Sequence, residues 1–550
     1  MTEDTLRPAR TVCDLFISRV HESADSAALF WFDLSTDCWR SWTWNELAEH
    51  VGVYAEYLLS NGVQAGSRVM LLSENCREWI VADLAILSLG AVNVPLHSEL
   101  TTFQVQRLIE HCEPCLILAS SDKHREKTRG TVWNPTCATF AQIEAACLTR
   151  SNRINDSGLA NSFGDGLRFD ALSRIAEHVR TDDLLTILYT SGTTGEPKGV
   201  MLSHRNVCAN VASKLATLPL RQEDVRLCIL PMSHIFARVC DLYTWLMAGC
   251  QLHLTRGWPL LFDDLREVRP TYINGVPYFY EKCYRELEDQ GRLDEPNALR
   301  ELLGGRPHVL NCGGATLAEH VYHYFASHDV GFVAGYGLTE ASPVLTSNRI
   351  DQYRIGSVGQ VVPGVEIRLS EDNEILARGD NIMLGYFKDP VATAATIVDG
   401  WLQTGDIGEI DRDGFLYIVG RKKELIVTTG AKKIAPLPIE NKLSEHPAIE
   451  QCLVYGEGRD FLVALIVPDL NWLNRSSEPV DQQLRIIIDT LLRDYSKYEQ
   501  IGRFAIVQEA FSIENDLLTA KRSKRRDKII ARYRAVIDGL YESESPLVKT

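Results

Sequence analysis

The chain has 550 residues, too long for a single hydrophobic core and enough for roughly two to four domains. Hydrophobic residues make up 45% and charged residues 24%, which excludes a disordered or fibrous chain. The net charge of −16 argues against wholesale nucleic-acid binding, so any polyanion must sit in a local basic or amide-rich site.

The amino-terminal MTEDTLRPARTVCDLF has no basic stretch followed by an apolar one, and no signal peptide is expected. Residues 44–59 form an amphipathic helical pattern closed by Asn61-Gly62. The run 67–72 (SRVMLL) reads as a buried strand, 79–89 as a helix and 91–95 as another strand. That alternation predicts a parallel sheet with helices on its faces. The most apolar stretch, 80–96, contains Asp83 and Asn93 and is too short and interrupted to cross a bilayer. The cysteines are dilute, and the pair Cys112-Glu-Pro-Cys115 after His111 lacks the second pair a zinc site needs. Reduced, partly buried thiols in a cytoplasmic protein are the expectation. Residues 120–179 are weakly patterned, with Asn, Ser, Gly and Asp gathered at 151–166, and read as a surface connection with short elements.

The segment YTSGTTGEPKG at 189–199 follows the strand-like run 184–188. Gly192 and Gly195 let successive N–H groups turn toward one anion, while Thr190, Ser191, Thr193 and Thr194 add hydroxyl donors. Lys198 adds a mobile positive charge. These residues form a polyphosphate cradle, although the Walker spacing is absent. Further on, 415–419 reads as a strand, and 420–423 breaks it before a small alternating unit restarts. A boundary therefore falls near Lys423, dividing the chain into 1–422 and 423–550. A Pro-started helix over 434–450, a strand pair within 452–467 and an amphipathic helix over 529–540 are expected beyond it.

One more segment precedes the cradle, WTWNEL at 42–47 opening a stretch through Pro95, and three follow it in order: GYGLTE at 335–340, QTGD at 403–406 and GRKKELI at 420–426. With the cradle, they make the chain resemble the adenylate-forming superfamily of acyl-CoA synthetases, luciferases and peptide adenylation domains. PMSHIFAR at 231–238 and APLPIE at 435–440 are similar to its long-chain fatty-acid branch. The resemblance implies an α/β fold: a large amino-terminal domain of two parallel-sheet αβαβα subdomains plus a small β-barrel, and a smaller mobile α+β carboxyl-terminal domain. It implies an AMP-forming ligase that uses ATP and Mg2+ to activate a medium- or long-chain fatty acid. Coenzyme A would then take the acyl group as co-substrate.

By resemblance, Thr190 and Glu340 position the magnesium, and Lys198 and Glu340 serve the chemistry. Tyr336 packs on adenine, with Gly314 and Ala315 on its other side and Gly337 and Thr339 in the same nucleotide-binding segment. Asp406 accepts the ribose hydroxyls, helped by Arg421, and His234 lies beside the acyl carboxylate. Lys423 matches a hinge, and Gly430 matches the glycine that lets the pantetheine arm pass. Phe236, Val276, Pro277, Tyr278 and Phe279 could line an acyl channel or simply be core.

The chain departs from the family at several points. Ala431 and Lys433 stand where long-chain members show Gly and Asn, and Ser523 falls at the adenylation-lysine position, flanked by Lys521 and Lys524. Serine cannot supply the positive charge, so Lys521 or Lys524 is the candidate substitute. Two alternatives follow: a ligase that loads an acyl carrier protein, or a degenerate member that binds nucleotide or acyl-CoA without turnover. The basic run 521–528 is open to contact with CoA phosphates or, peripherally, with the anionic inner face of a membrane. Nucleic acid is not an expected partner.

Overall fold

The computed structural model describes residues 11–146, 167–191, 197–315, 317–430, 432–473, 478–512, 514–518, 524–542 and 547–549. Two large sheets organise the first part of the chain. In the first, Phe332–Gly337, Val309–Cys312, Tyr272–Gly275, Val225–Cys228, Gln251–Leu254 and Ala27–Asp33 lie side by side and parallel. Antiparallel strands Cys38–Thr43 and Val344–Ser347 flank them. In the second, Leu184–Ser191, Val92–Leu96, Arg68–Leu72, Leu116–Ala119 and Thr136–Thr139 are parallel neighbours. Such sheets bury both faces, so their strands read as apolar runs rather than alternating ones. The strand Arg68–Leu72 shows this directly, since Val69, Met70, Leu71 and Leu72 are all buried.

The sheets meet around a buried polar knot. Asp83, on the helix Arg77–Ser88, accepts from Arg238 Nη2 at 2.5 Å, Asn93 Nδ2 at 2.5 Å and the Tyr243 hydroxyl at 2.9 Å. Arg238 Nη1 reaches Thr186 Oγ1 at 2.7 Å. Asp83 and Arg238 are both fully buried, so each neutralises a charge that could not otherwise leave water.

A third, five-stranded sheet is antiparallel and contains Val365–Leu369, Glu374–Gly379, Trp401–Ile410 and Leu416–Arg421. It occupies the place of the expected small barrel. Beyond it, Ile449–Tyr455, Leu462–Pro468 and Ile501–Ile506 form a mixed sheet with the short strand Leu547–Lys549. This sheet packs its own apolar clusters, one around Ile439, Ile466 and Ile488 and one around Leu465, Ile529 and Ile537. Helices therefore cover both faces of this sheet, which gives the carboxyl-terminal part its α+β character.

Several local expectations meet their elements closely. The helix expected over 44–59 is Trp44–Ser60, opened by a capping box in which Glu46 N donates to Thr43 Oγ1 at 3.2 Å. The final helix differs: it is two, Arg526–Arg532 and Arg534–Glu542, because the backbone leaves helical geometry at Tyr533. The described cysteines are free thiols. Among the described residues, no helix is long and apolar enough to cross a membrane.

The polar knot makes a stability prediction. Asp83→Ala leaves the buried Arg238 guanidinium unpaired and should cost about 3–5 kcal/mol. Urea unfolding followed by tryptophan fluorescence checks this, and a loss below about 1 kcal/mol would contradict the assignment.

Candidate functional site

A cleft of ≈ 1810 Å³ brings together segments from both large sheets, the antiparallel sheet and the carboxyl-terminal part. Its first wall is a hairpin. Leu184–Ser191 pairs antiparallel with Pro197–Ser203, setting Thr190 opposite Lys198 and Ser191 opposite Pro197. The cradle residues Gly192, Thr193, Thr194 and Gly195 in the connecting loop lie outside the described residues. Thr190 and Lys198 both line the cleft.

Lys198 places its ammonium 4.8 Å from the centre of the Tyr386 ring, a cation–π distance. The Tyr386 hydroxyl in turn donates to Glu340 Oε1 at 2.9 Å. A cation, a phenol and a carboxylate thus stand in a row. Burial, with the Glu340 charge beside it, pushes the Tyr386 phenol up, so it stays a neutral donor. Sequence reasoning misses Tyr386, whose one signal is the strand-like GYF at 385–387. That segment pairs with Val200 and Met201, close to Lys198.

The second wall runs from Phe332–Gly337 into the short helix Thr339–Ala341. A Cβ at Gly337 would lie 1.9 Å from the Pro343 carbonyl oxygen, so only glycine permits the loop to fold back there. That close return brings Tyr336, Thr339 and Glu340 onto one surface. Gly314 also lines the cleft and takes a left-handed φ of +87°, while its exposed neighbour Ala315 stands just beyond the lining.

Tyr336 donates to Asp406 Oδ2 at 2.6 Å, and Arg421 Nε meets Asp406 Oδ1 at 2.7 Å. Strand pairing explains the second contact, because Asp406 and Arg421 face each other across adjacent strands. Asp406 is only 3% exposed and stands behind the cleft surface. Burial pushes its carboxyl up, against the lowering effect of Arg421 and the Tyr336 hydroxyl. Thr404 Oγ1 holds the turn by accepting from Asp406 N at 3.1 Å.

His234 caps the short helix Ile235–Ala237, its Nδ1 accepting from Phe236 N at 3.2 Å, and both residues line the cleft. Of the five apolar candidates for an acyl channel, Phe236 alone belongs to the cleft lining, whereas Phe279 is fully buried core.

From the carboxyl-terminal side, Lys423 and Lys524 reach the same cleft. Lys524 Nζ sits 2.7 Å from Glu440 Oε2, and Arg526 Nη1 sits 2.5 Å from Glu440 Oε1. Burial by itself would raise the Glu440 carboxyl, but Lys524 and Arg526 together hold it below its usual range. Lys521 and Ser523 lie outside the described residues. Gly430 lies in the turn between Ile426–Val427 and Lys433–Ile434, away from the cleft lining.

Magnesium needs only one or two protein oxygens when phosphates and water supply the rest. Thr190 and Glu340 offer such a donor set on the walls of one cleft, so the residues present fit a metal carried by a triphosphate.

Residues 16–387 match the AMP-binding enzyme family, and residues 423–545 match the AMP-binding enzyme C-terminal domain. The chain is 30% identical to the long-chain-fatty-acid–CoA ligase FadD15 of Mycobacterium tuberculosis, over 95% of this chain and 96% of that protein. It is 26% identical to a chloroplastic long-chain-fatty-acid–[acyl-carrier-protein] ligase of Arabidopsis thaliana, over 97% and 87% of the two chains. Among solved structures, the anthranilate CoA ligase AuaEII in complex with anthranoyl-AMP superposes with a TM-score of 0.77 at 20% identity, over 98% of this chain and 100% of that one. Ligases of this family draw on ATP, magnesium and CoA. On this match, which spans most of its length and is joined to the adenylate-forming fold, the chain belongs to the AMP-binding enzyme family.

Proposed function

We propose that this protein is an ATP-dependent acyl-CoA ligase acting on medium- or long-chain fatty acids. The observation that carries the reading is the single cleft shared by Lys198, the Tyr386–Glu340 pair and Tyr336. The similarity to FadD15 supports the choice of acid.

The chemistry asks little of a general base, because a fatty carboxylate is already ionised at neutral pH. One carboxylate oxygen attacks the α-phosphorus of ATP, the bond to the bridging oxygen breaks, and pyrophosphate departs with the electron pair. The barrier lies in bringing two anions together and stabilising the leaving charge. Lys198 supplies positive charge at the phosphates. Thr190 and Glu340 would hold magnesium, which would supply neutralisation of the phosphate charge. Tyr336 packs on adenine, with Gly314 in the bend after Val309–Cys312 on its other side, while Asp406 and Arg421 face the ribose. Asp406 already accepts from Tyr336 and Arg421, and its remaining lone pairs are what a ribose hydroxyl would use.

In the second step, the CoA thiolate attacks the acyl carbon and AMP leaves. We assign the small domain, 423–550, to this exchange, with Lys423 as its hinge and Gly430 brought to the cleft by rotation. Lys524 is bound to Glu440 and in this arrangement serves to hold the basic segment to the helix Pro436–Ser444. A carrier-protein thiol is the second reading of the acceptor, favoured by the similarity to the Arabidopsis ligase.

Two outcomes test the reading. Lys198→Ala and Glu340→Ala should each lower acid-dependent ATP–pyrophosphate exchange on the order of 10²–10³-fold, and unchanged exchange in both variants would overturn the cleft assignment. A fatty-acid series supplied with CoA should yield acyl-CoA and AMP, and the same series supplied with acyl carrier protein should leave that protein unacylated. Acyl transfer only to the carrier protein would select the second reading.

A further inference from the structure

The helix His204–Thr217 carries Lys214 into the interior, where it is only 2% exposed and lines the cleft along with Phe236 and Asn311. Its ammonium makes no hydrogen bond or ion pair with any described residue. Burial pushes it down to about 8, which still leaves it mostly protonated at neutral pH.

The surrounding charges are already spent. Arg226 and Asp241, both within electrostatic reach of Lys214, pair with each other at 2.6 Å. Asp241 Oδ1 also accepts from Asn274 Nδ2 at 2.7 Å, and Asn274 Oδ1 accepts from Asn311 Nδ2 at 2.8 Å. This network carries no net charge, so among the described residues nothing pairs with the positive charge of Lys214 on the cleft wall. An acyl chain of bare hydrocarbon would strip water from that ammonium and return nothing. A chain bearing an anion would pair with it and balance the charge.

Building on the ligase reading, we propose that Lys214 is a specificity residue, and that the preferred acid carries a second carboxylate on its acyl chain. The chain length that places this carboxylate against Lys214 then sets the preferred substrate. The reacting carboxylate remains the one that meets the α-phosphate, and Lys214 takes no part in bond making.

The test compares acids of matched length, from short to long, whose far ends are methyl, hydroxyl or carboxylate. Acid-dependent AMP release and equilibrium binding of the same acids by calorimetry are read in parallel, with wild type and with Lys214→Met and Lys214→Arg. At one chain length, wild type should favour the dicarboxylate over the methyl-ended acid by at least about tenfold in both readouts. Lys214→Met should abolish or invert that preference, and Lys214→Arg should keep it. The wild-type preference is a test even if Lys214→Met fails to fold.

A wild type that favours methyl- or hydroxyl-ended acids at every length would overturn the proposal. So would an equal loss for all acids in Lys214→Met, since that would mean Lys214 meets the reacting carboxylate. Acid binding with the expected preference but no AMP release would instead refute the ligase reading and leave the specificity assignment standing.

Discussion

A charge cannot be buried alone, and this constraint orders the whole molecule. Asp83 is matched by Arg238, Asp241 by Arg226, and Glu440 by Lys524 and Arg526. Each pair joins separate segments of the chain: the first ties the two parallel sheets, and the last binds the basic segment to the helix Pro436–Ser444. Charged groups without such an ion-pair partner among the described residues then stand out. Lys198 rests on the face of Tyr386, and Lys214 lines the cleft from a buried helix face. Both lie where a ligand would supply the missing charge.

The same rule explains how a chain of net charge −16 can hold a polyphosphate. Its surface as a whole repels anions, so attraction must be local and short-ranged. The hairpin that sets Thr190 beside Lys198, and the loop return that only Gly337 allows, put a cation and hydroxyl groups close to the Glu340 carboxylate. A carboxylate near a phosphate site is unfavourable by itself. It becomes favourable when a divalent cation lies between the two.

Much of the architecture is legible in the sequence because it rests on local pattern. The run 67–72 is largely apolar and becomes the buried strand Arg68–Leu72, and Thr43 with Glu46 opens the helix Trp44–Ser60. The backbone break at Tyr533 is not legible, since the apolar spacing continues through it. Tyr336, Glu340, Asp406 and Arg421 stand in recognisable motifs, but their mutual contacts depend on strand register and cannot be read from spacing. Tyr386 and Lys214 escape for a different reason. Lys214 sits in a helix with a polar face, where lysine ordinarily meets water, and only tertiary packing shows that this one does not.

An adenylate-forming ligase activates the acid as an adenylate before the acyl group is transferred. The most direct measurement uses a fatty acid with a heavy-oxygen label in its carboxylate, together with ATP and CoA. Labelled oxygen should appear in the phosphate of AMP in step with acyl-CoA formation. Label appearing in inorganic phosphate or pyrophosphate, or acyl-CoA formed with unlabelled AMP, would contradict it.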